Sequence, residues 1–451
     1  MNQKTNKMES MPIPKLVINI SAPLMISLLV QSLYNIVDGV YIARLGIKAI
    51  ASVTLAFPVQ MLMIAISVGT GLGVNSLVSR KIGEKNYDEV GMIATTGLIL
   101  SVLFSLIFVV FGIFFARSFF ELYTSDPQLV ASGVGYLRIT CVFSTGIFVA
   151  TTVERLLQAA GRTTLSMIAL ITGAVINIVL NPILIHGYFG FPALGVNGAA
   201  IATVVGQWAA ALLAIIMNIK INKVVPFKIQ DFKMHKEYVV KILAVGIPSM
   251  VSQGMGSVMA ALINNVLGGF SMTAVAFFGI YYRLQQFLFM PINGLSQGLI
   301  PIVGYNYGSK RGLQIKKAVN FSLILAILIM AAGTILFLSI PGRLLSIFKA
   351  SPEMLEFGVH ALRIVSAIFI PCGIVFIVSR MYIGMGNGLV NLINTFFMDL
   401  LTVGIIYILV KFVDIDQIWY AYWISYAIAL GFSLLCLSHA YKSKINLAES
   451  I

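Results

Sequence analysis

Residues 21–41 read SAPLMISLLVQSLYNIVDGVY, a run of 21 residues that contains a single charged side chain, Asp38. A helix needs about 20 predominantly apolar residues to cross the hydrocarbon core of a bilayer. This run meets that requirement, and it shows little of the strict alternation that is typical of a strand. It therefore predicts a membrane-spanning helix.

The rest of the chain has the same character. Hydrophobic residues make up 59% of its 451 positions and charged residues 10%, whereas charged residues make up about 25% of a soluble domain. A soluble fold of this length cannot bury so much apolar surface, because the buried fraction grows slowly with size. Disordered and collagen-like chains are excluded as well. The composition predicts a polytopic membrane protein.

Twelve long apolar runs, bounded by charges and turn residues, are candidate spans. Their length and their weak alternation argue against an outer-membrane β-barrel. The first run is too long for the core of a signal peptide, so we expect no cleavable signal. The runs are 15–41, 51–78, 92–116, 131–158, 162–187, 195–219, 239–267, 272–303, 314–341, 356–382, 388–411 and 417–440.

The basic residues orient these spans. An even number of spans puts both termini on one side, and 21 of the 30 Lys and Arg residues fall in that side's loops, tails and span ends. Cytoplasmic loops carry the excess of Lys and Arg, so both termini are predicted to be cytoplasmic. The net charge of +14 then reports orientation and contact with anionic lipid headgroups, and no nucleic-acid partner is expected.

An internal repeat relates the two halves of the chain at one fixed offset of almost half its length. Pro23 matches Pro248, Gly69 and Gly73 match Gly294 and Gly298, and Gly161 matches Gly386. Six spans per half give both halves the same orientation, which is the pattern of parallel repeats in transporters. We expect an all-α protein whose two six-helix lobes, 1–220 and 239–451, are joined by a cytoplasmic linker at 221–238 and form a V-shaped cleft.

Three of the 16 acidic residues lie inside spans, where an ionisable group is a functional candidate by default. Asp38 lies about one and a half turns from the outer end of its span, at a depth similar to that of Asn177, Asn181 and Thr203. One carboxylate with amide and hydroxyl oxygens suits a proton or an alkali cation better than a transition metal. The alternative for the neutral residues is a structural polar network between helices.

The other two interior acids are Glu154 and Asp399. Glu154 either acts in substrate or proton binding or pairs locally with Arg155. Asp399 either binds a cationic substrate, titrates, or pairs with Arg283. Polar and aromatic residues on the eighth span are candidates for a cavity wall that holds a lipophilic cation, although helix packing is the simpler explanation; they include Tyr281, Gln285 and Asn293.

Neither the three cysteines nor the four histidines form a ligand pattern. Cys141, Cys372 and Cys436 fall inside spans and are interpreted as small buried residues. The histidines are far apart in the chain. We therefore expect no resident metal and no cofactor.

Several stretches resemble the bacterial branch of the multidrug and toxic-compound extrusion (MATE) transporters. The resemblance covers nearly the whole chain, and it lies in the motifs together with the twelve spans and the parallel repeat. The motifs are SAPLM (21–25), LYNIVDGVYIARLG (33–46), SRKIGEKNYDEV (79–90), VERLLQAAGR (153–162), NIVLNPILIHGYFG (177–190) and GVNGAAIAT (195–203).

This resemblance implies a monomeric secondary antiporter of the bacterial inner or plasma membrane, and not an enzyme. It would export organic cations and drugs in exchange for H⁺ or Na⁺ by alternating access. The family's cation site falls on Asp38, Asn177, Asn181 and Thr203, with Asn181 in place of the usual carboxylate, which favours H⁺. The resemblance also implies a drug or proton contact at Glu154 and a hinge at Pro23.

Two other functions were weighed. A flippase for a lipid-linked precursor needs a basic cleft, and only Arg138, Arg283 and Arg363 qualify as interior basic residues, since the others lie in loops, tails or span ends. A membrane-embedded transferase needs clustered His or Asp residues, which the chain lacks. Both are less well supported by the sequence than cation export.

Overall fold

The computed structural model describes residues 7–228, 233–348, 350–413 and 417–445. Part of the predicted linker, residues 229–232, lies outside them. The described chain is helical throughout, without strands. Its helices are α1 (Lys7–Ser10), α2 (Ile13–Ala43), α3 (Ile47–Gly83), α4 (Tyr87–Phe114), α5 (Ala116–Glu121), α6 (Pro127–Val142), α7 (Thr145–Ala159), α8 (Thr163–His186), α9 (Val196–Lys220), α10 (Lys236–Gly268), α11 (Met272–Gly308), α12 (Gly312–Ser339), α13 (Pro341–Ser346), α14 (Pro352–Ser366), α15 (Phe369–Gly384), α16 (Leu389–Thr395), α17 (Thr402–Leu409) and α18 (Tyr420–His439).

Ten helices within these residues are long and apolar enough to cross a membrane, and two bent helix pairs raise the number to twelve. The prediction of an all-α membrane protein is confirmed. The eleventh span is α16 and α17 joined by a π-helical segment, Phe396–Leu401.

The fourth and tenth candidate spans are interrupted in the structure. Each is a pair, α6 with α7 and α14 with α15, bent by 42°. Neighbouring helices bond to both breaks. At the first, Ser144 Oγ donates to the carbonyl oxygen of Ser105 on α4 at 3.3 Å. At the second, Trp423 Nε1 on α18 donates to the carbonyl of Ile364 at 2.7 Å. The second bond satisfies a backbone carbonyl where the helix is interrupted, whereas the first ties the break to α4 through a side chain.

Spatial contacts divide the chain into two compact units. The N-unit is Ile26–Met250, and the C-unit combines Met1–Met25 with Val251–Ile451. Their boundaries, after Met25 and after Met250, are repeat-related, since the sequence offset that takes Pro23 to Pro248 also takes Met25 to Met250. The predicted lobes follow chain order. In the structure, the start of α2 instead packs in the C-unit with the second half of the chain, and the start of α10 packs in the N-unit with the first half.

Glycines on α3 and α11 explain this exchange of helix ends. A Cβ on Gly73 of α3 would lie 2.2 Å from the carbonyl oxygen of Ile242 on α10, inside the N-unit. A Cβ on Gly294 of α11 would lie 2.7 Å from the backbone of Met25 on α2, inside the C-unit. Small residues allow such close backbone approach between membrane helices.

An ion pair outside the spans ties the start of α3 to the loop before α6. Lys48 Nζ lies 2.7 Å from Asp126 Oδ2, and Asp126 Oδ1 accepts from the backbone N–H groups of Gln128 and Leu129. The hydrogen bond from Lys48 is the main cause that lowers the pKa of Asp126 below its ordinary value, and the backbone bonds lower it further. Asp126 is thus a charged N-cap for α6.

We expect Asp126→Asn to lower thermal stability slightly at neutral pH and not at acidic pH. Asn caps a helix about as well as Asp, so the variant removes the charge alone. A lowered folded pKa stabilises the fold above the unfolded value of about 3.9, and this contribution is lost as pH falls through the folded value. Thermal unfolding in detergent from pH 7 down to about pH 3 measures it. A wild-type advantage that does not depend on pH would contradict the assignment.

Candidate functional site

Four polar side chains of the N-unit, predicted to share one layer, form a continuous hydrogen-bonded network. Asn181 Nδ2 donates to Asp38 Oδ1 at 2.8 Å and to Asn177 Oδ1 at 3.1 Å. Asn177 Nδ2 in turn donates to Thr203 Oγ1 at 3.2 Å. The network therefore joins α2, α8 and α9 through one carboxylate, two amides and one hydroxyl.

Burial makes this network sensitive to charge. Asn181 and Asn177 are 0% and 2% exposed, and Asp38 and Thr203 are half-buried. Asn181 Oδ1 is buried without a hydrogen-bond partner. A buried acceptor left unpaired costs free energy. The network therefore contains one unsatisfied buried oxygen, on the residue whose amide nitrogen donates to the carboxylate.

Glycines on α8 and α9 bring the network together. A Cβ on Gly173 would lie 2.6 Å from the carbonyl oxygen of Gly206, and a Cβ on Gly206 would lie 3.2 Å from Asn177 Cβ. The two helices therefore touch backbone to backbone beside Asn177. The sequence does not predict this pair, because nothing near a glycine in the sequence indicates which residue of another helix it will contact.

Two phenols near Asp38 were also missed. Tyr34 and Tyr136 both interact electrostatically with Asp38, and Gln60 Nε2 donates to the Tyr136 hydroxyl at 3.0 Å. Tyr34 is one turn before Asp38 on α2, a spacing that places both on one helix face and that the sequence displays. Tyr136 is brought in from α6 by tertiary packing alone.

Glu154 lies on α7 and forms no hydrogen bond or salt bridge with any described residue. It interacts electrostatically with Arg155 without a salt bridge, and Arg155, 8% exposed, donates to Gln158 Oε1 at 2.9 Å. Gln158 Nε2 then donates to Ser166 Oγ on α8 at 2.9 Å. Arg155 therefore belongs to a polar chain between helices, and Glu154 remains a separate half-buried carboxyl group.

The other candidates lie in the C-unit. Asp399 is in the π-helical segment, and its suggested pairing with Arg283 is absent from the described structure, where the Arg283 side chain is exposed. Tyr281 is fully buried against Trp419 and Tyr422. The remaining residues, Gln285 (buried) and Asn293 (half-buried), lie about two turns apart on α11.

Pro23 lies within α2, which continues through it as one helix. It is just before the point, after Met25, where α2 passes from the C-unit to the N-unit. The cysteines are free thiols, with Cys141 and Cys372 buried. Among the described residues, no group of three or more His, Cys, Asp or Glu side chains could hold a metal ion.

Comparison with known families decides the class of this protein. The family model MatE matches residues 23–183 and again residues 248–408. The chain belongs to the MatE family. Both ends of the second match lie at the repeat offset from those of the first, which confirms the internal repeat.

Relatives of this MatE protein are similar over most of their length. Multidrug export protein MepA of Staphylococcus aureus (strain MRSA252) is 26% identical over 381 residues, which is 84% of this chain and 83% of MepA. Solved structures with the same fold include MATE in the straight conformation, at 25% identity and a TM-score of 0.91 over 100% of both chains. MATE in the bent conformation is 26% identical, with a TM-score of 0.87 over 97% of each chain.

These similarities confirm the predicted family and the all-helical transporter fold. They also assign this MatE protein to the multi-pass membrane transporters and not to the enzymes. The roles of the individual site residues and the coupling ion stay predictions.

Proposed function

We propose that this MatE protein is a multidrug efflux transporter that exports organic cations in exchange for protons by alternating access. The hydrogen-bonded network Asp38–Asn181–Asn177–Thr203 carries the proposal, and the export activity named for the relative MepA supports it. The transporter operates as a monomer in the bacterial inner or plasma membrane, with both termini cytoplasmic and without a cofactor.

The make-up of the network supports H⁺ over Na⁺ as the coupling ion. Alkali and alkaline-earth cations are held by several oxygens, with carboxylates supplying the charge. Here Asp38 is the one carboxylate, and Asn181 presents its N–H₂ group to Asp38 and to Asn177. A proton needs only the carboxylate itself and no further oxygen ligands, so this network suits a proton better than Na⁺.

Protonation of Asp38 neutralises the charge that Asn181 now hydrogen-bonds. The same helix carries Pro23 about four turns away, and a proline allows a membrane helix to bend. Crystal structures of MATE, a structural neighbour of this chain, show it in a straight and in a bent conformation. We propose that the proton favours the bent form, with a coupling free energy of about 1–3 kcal/mol.

Substrate contacts are assigned to polar groups within each unit. Glu154 supplies a carboxyl group without a hydrogen bond or salt bridge among the described residues of the N-unit, and Gln285 and Asn293 supply amides in the C-unit. Carboxylate, amide and aromatic groups are the ones that suit a lipophilic organic cation. Substitution of any of these residues should alter substrate affinity more than the choice of coupling ion.

Export of ethidium, a fluorescent organic cation, from proteoliposomes tests the function and the ion together. The pH and Na⁺ gradients are imposed independently across the same membrane. We expect the pH gradient to drive ethidium export and a Na⁺ gradient at equal pH to leave it unchanged. Export driven by Na⁺ alone would overturn H⁺ coupling, and no export under either gradient would overturn the proposed function for this cation.

An Asn181→Asp variant sharpens the ion assignment. It adds a second carboxylate to the network beside Asp38, so we expect Na⁺ to drive ethidium export in the variant although it does not in the wild type. The matched control is Asp126→Asn, which alters an acid outside the network and should keep the wild-type response to both ions.

A further inference from the structure

We propose that Asp399, in the C-unit, is a second proton-binding site of this transporter. The proton occupancy of this carboxyl group stands independently of the proposed antiport, and only its contribution to coupling rests on that function. The inference comes from an acid without a hydrogen bond or salt bridge among the described residues, at an irregular turn of the eleventh span and near the buried, unpaired hydroxyl group of Tyr422.

The backbone is irregular where Asp399 lies. The eleventh span changes from α16 to a π-helical segment at Phe396–Leu401 and resumes as α17. Thr402 Oγ1 donates to the carbonyl oxygen of Met398 at 2.6 Å and so satisfies part of the altered backbone. Insertions of a π-helical turn are uncommon and are found frequently at functional sites.

Other polar side chains on this span are paired, which sets Asp399 apart. Asn391 donates to Ser252 on α10 at 2.9 Å, and Asn394 donates to Ser379 on α15 at 2.9 Å. Thr402 shares a hydrogen bond of 2.5 Å with Ser425 on α18. Asp399 makes no hydrogen bond or salt bridge within the described chain, although it is the one side chain of this set that carries a formal charge.

The groups that face Asp399 are neutral. Tyr282 on α11, Cys372 on α15, and Tyr422 and Tyr426 on α18 interact electrostatically with it. From α10 it faces Gly256, where a Cβ would lie 3.8 Å from Asp399 Oδ2. No Lys, Arg or His of the described residues is close enough to compensate a negative charge here. An ionised carboxylate at membrane depth without a counter-charge is costly, so this one needs a cation or a proton.

The packing of aromatic rings on this side of the C-unit favours a proton over an organic cation at Asp399. The hydroxyl groups of Tyr281 and Tyr422 are buried without hydrogen-bond partners, yet the rings themselves are in contact, with centroids 6.1 Å apart. Trp419 stacks on Tyr422 at a centroid distance of 6.4 Å. Rings packed on one another leave no space for an organic cation among them. A proton needs no such space, and Tyr422 offers Asp399 a polar neighbour.

The repeat strengthens the assignment. The repeat offset takes Asn177 to Thr402, so the Thr402–Ser425 hydrogen bond links the eleventh span to the twelfth as Asn177–Thr203 links α8 to α9. Asp399 lies one turn before Thr402. The C-unit therefore has its carboxyl group on the repeat of the helix that carries Asn177 and Asn181, whereas the N-unit has its carboxyl group on α2.

Infrared difference spectroscopy of the purified, full-length transporter tests this site without any transport assay. In the wild type at neutral pH we expect a carbonyl band from protonated Asp399 that disappears as pH rises. It should be absent from Asp399→Asn and present in Asp38→Asn. Failure to find a band that Asp399→Asn removes would overturn the proposal, and so would a band that persists up to about pH 10, because the proton would not exchange.

Two further measurements keep the proposal falsifiable. If replacement of choline chloride by NaCl at constant ionic strength abolishes the band, the site binds Na⁺ and the proposal is overturned. If Asp399→Asn does not fold, Gly256→Ala replaces it as the test variant, because it places a methyl group beside Asp399 and should shift the band. Gly404→Ala is the control: its Cβ has no atom within 4 Å, so the band should not shift. A band that titrates in a wild type without ethidium export would support this site and reject the antiport.

Discussion

Asp38→Asn should reduce pH-driven ethidium export by about fivefold or more, because a coupling free energy of about 1–3 kcal/mol is removed. The amide is nearly the same size as the carboxyl group, so the bond to Asn181 is altered while packing around α2 is kept. Without a titratable group at this position, the N-unit no longer binds the proton that the gradient supplies.

The measurement pairs transport with binding. We expect purified Asp38→Asn to keep the wild-type elution volume and to bind ethidium, since the substitution acts on coupling and not on the fold. Asp126→Asn removes an acid on the same unit outside the network and should export at the wild-type rate. Wild-type export by Asp38→Asn would remove Asp38 from the mechanism.

The grouping of this network could be predicted because helices are regular. With a rise of about 1.5 Å per residue, the depth of a side chain follows from its distance to the end of its span. Arg44 and Gly187 mark two of these ends in the sequence. Asp38 and Asn181 are therefore assigned to one level from the sequence, and they are 2.8 Å apart in the structure.

The pairing of Glu154 with Arg155 shows where adjacency in sequence misleads. Consecutive residues on a helix point about 100° apart and do not face each other, whereas residues three or four apart do. Arg155 accordingly bonds Gln158, three residues on. Helical spacing therefore predicts Gln158, and not Glu154, as the hydrogen-bond partner of Arg155.

The bends and the π-helical segment could not be predicted from the sequence. The breaks in the fourth and tenth spans are bonded to other helices, through Ser144, which donates to Ser105 on α4, and through Ile364, which accepts from Trp423 on α18. The runs themselves are apolar enough for straight helices. Which backbone groups lose their helical partners is decided by packing between segments that are distant in the chain, and a single sequence does not report those pairs.

The close glycine contacts between helices also depend on packing between segments that are distant in the chain. Substitution of these glycines should have the largest effect on stability that we expect. Gly73→Ala would bring its Cβ to 2.2 Å from the carbonyl oxygen of Ile242, and Gly294→Ala to 2.7 Å from backbone atoms of Met25. Neither contact can be relieved by a side-chain rotation, so two helix backbones must separate. Overpacking of this kind costs about 1–3 kcal/mol.

We expect each of these two substitutions to lower the Tm in detergent by about 2–12 °C, since 1 kcal/mol corresponds to about 2–4 °C for a unit of roughly 200 residues. Gly404→Ala is the matched control, since its Cβ has no atom within 4 Å and alanine favours a helix over glycine by about 1 kcal/mol. It should leave the Tm unchanged or raise it. Equal Tm values for Gly73→Ala, Gly294→Ala and the control would show that these glycines do not hold α10 and α2 in their units. A lower Tm in Gly73→Ala and Gly294→Ala alone would show that the missing Cβ atoms on the repeat-related helices α3 and α11 allow the start of α10 to pack in the N-unit and the start of α2 to pack in the C-unit.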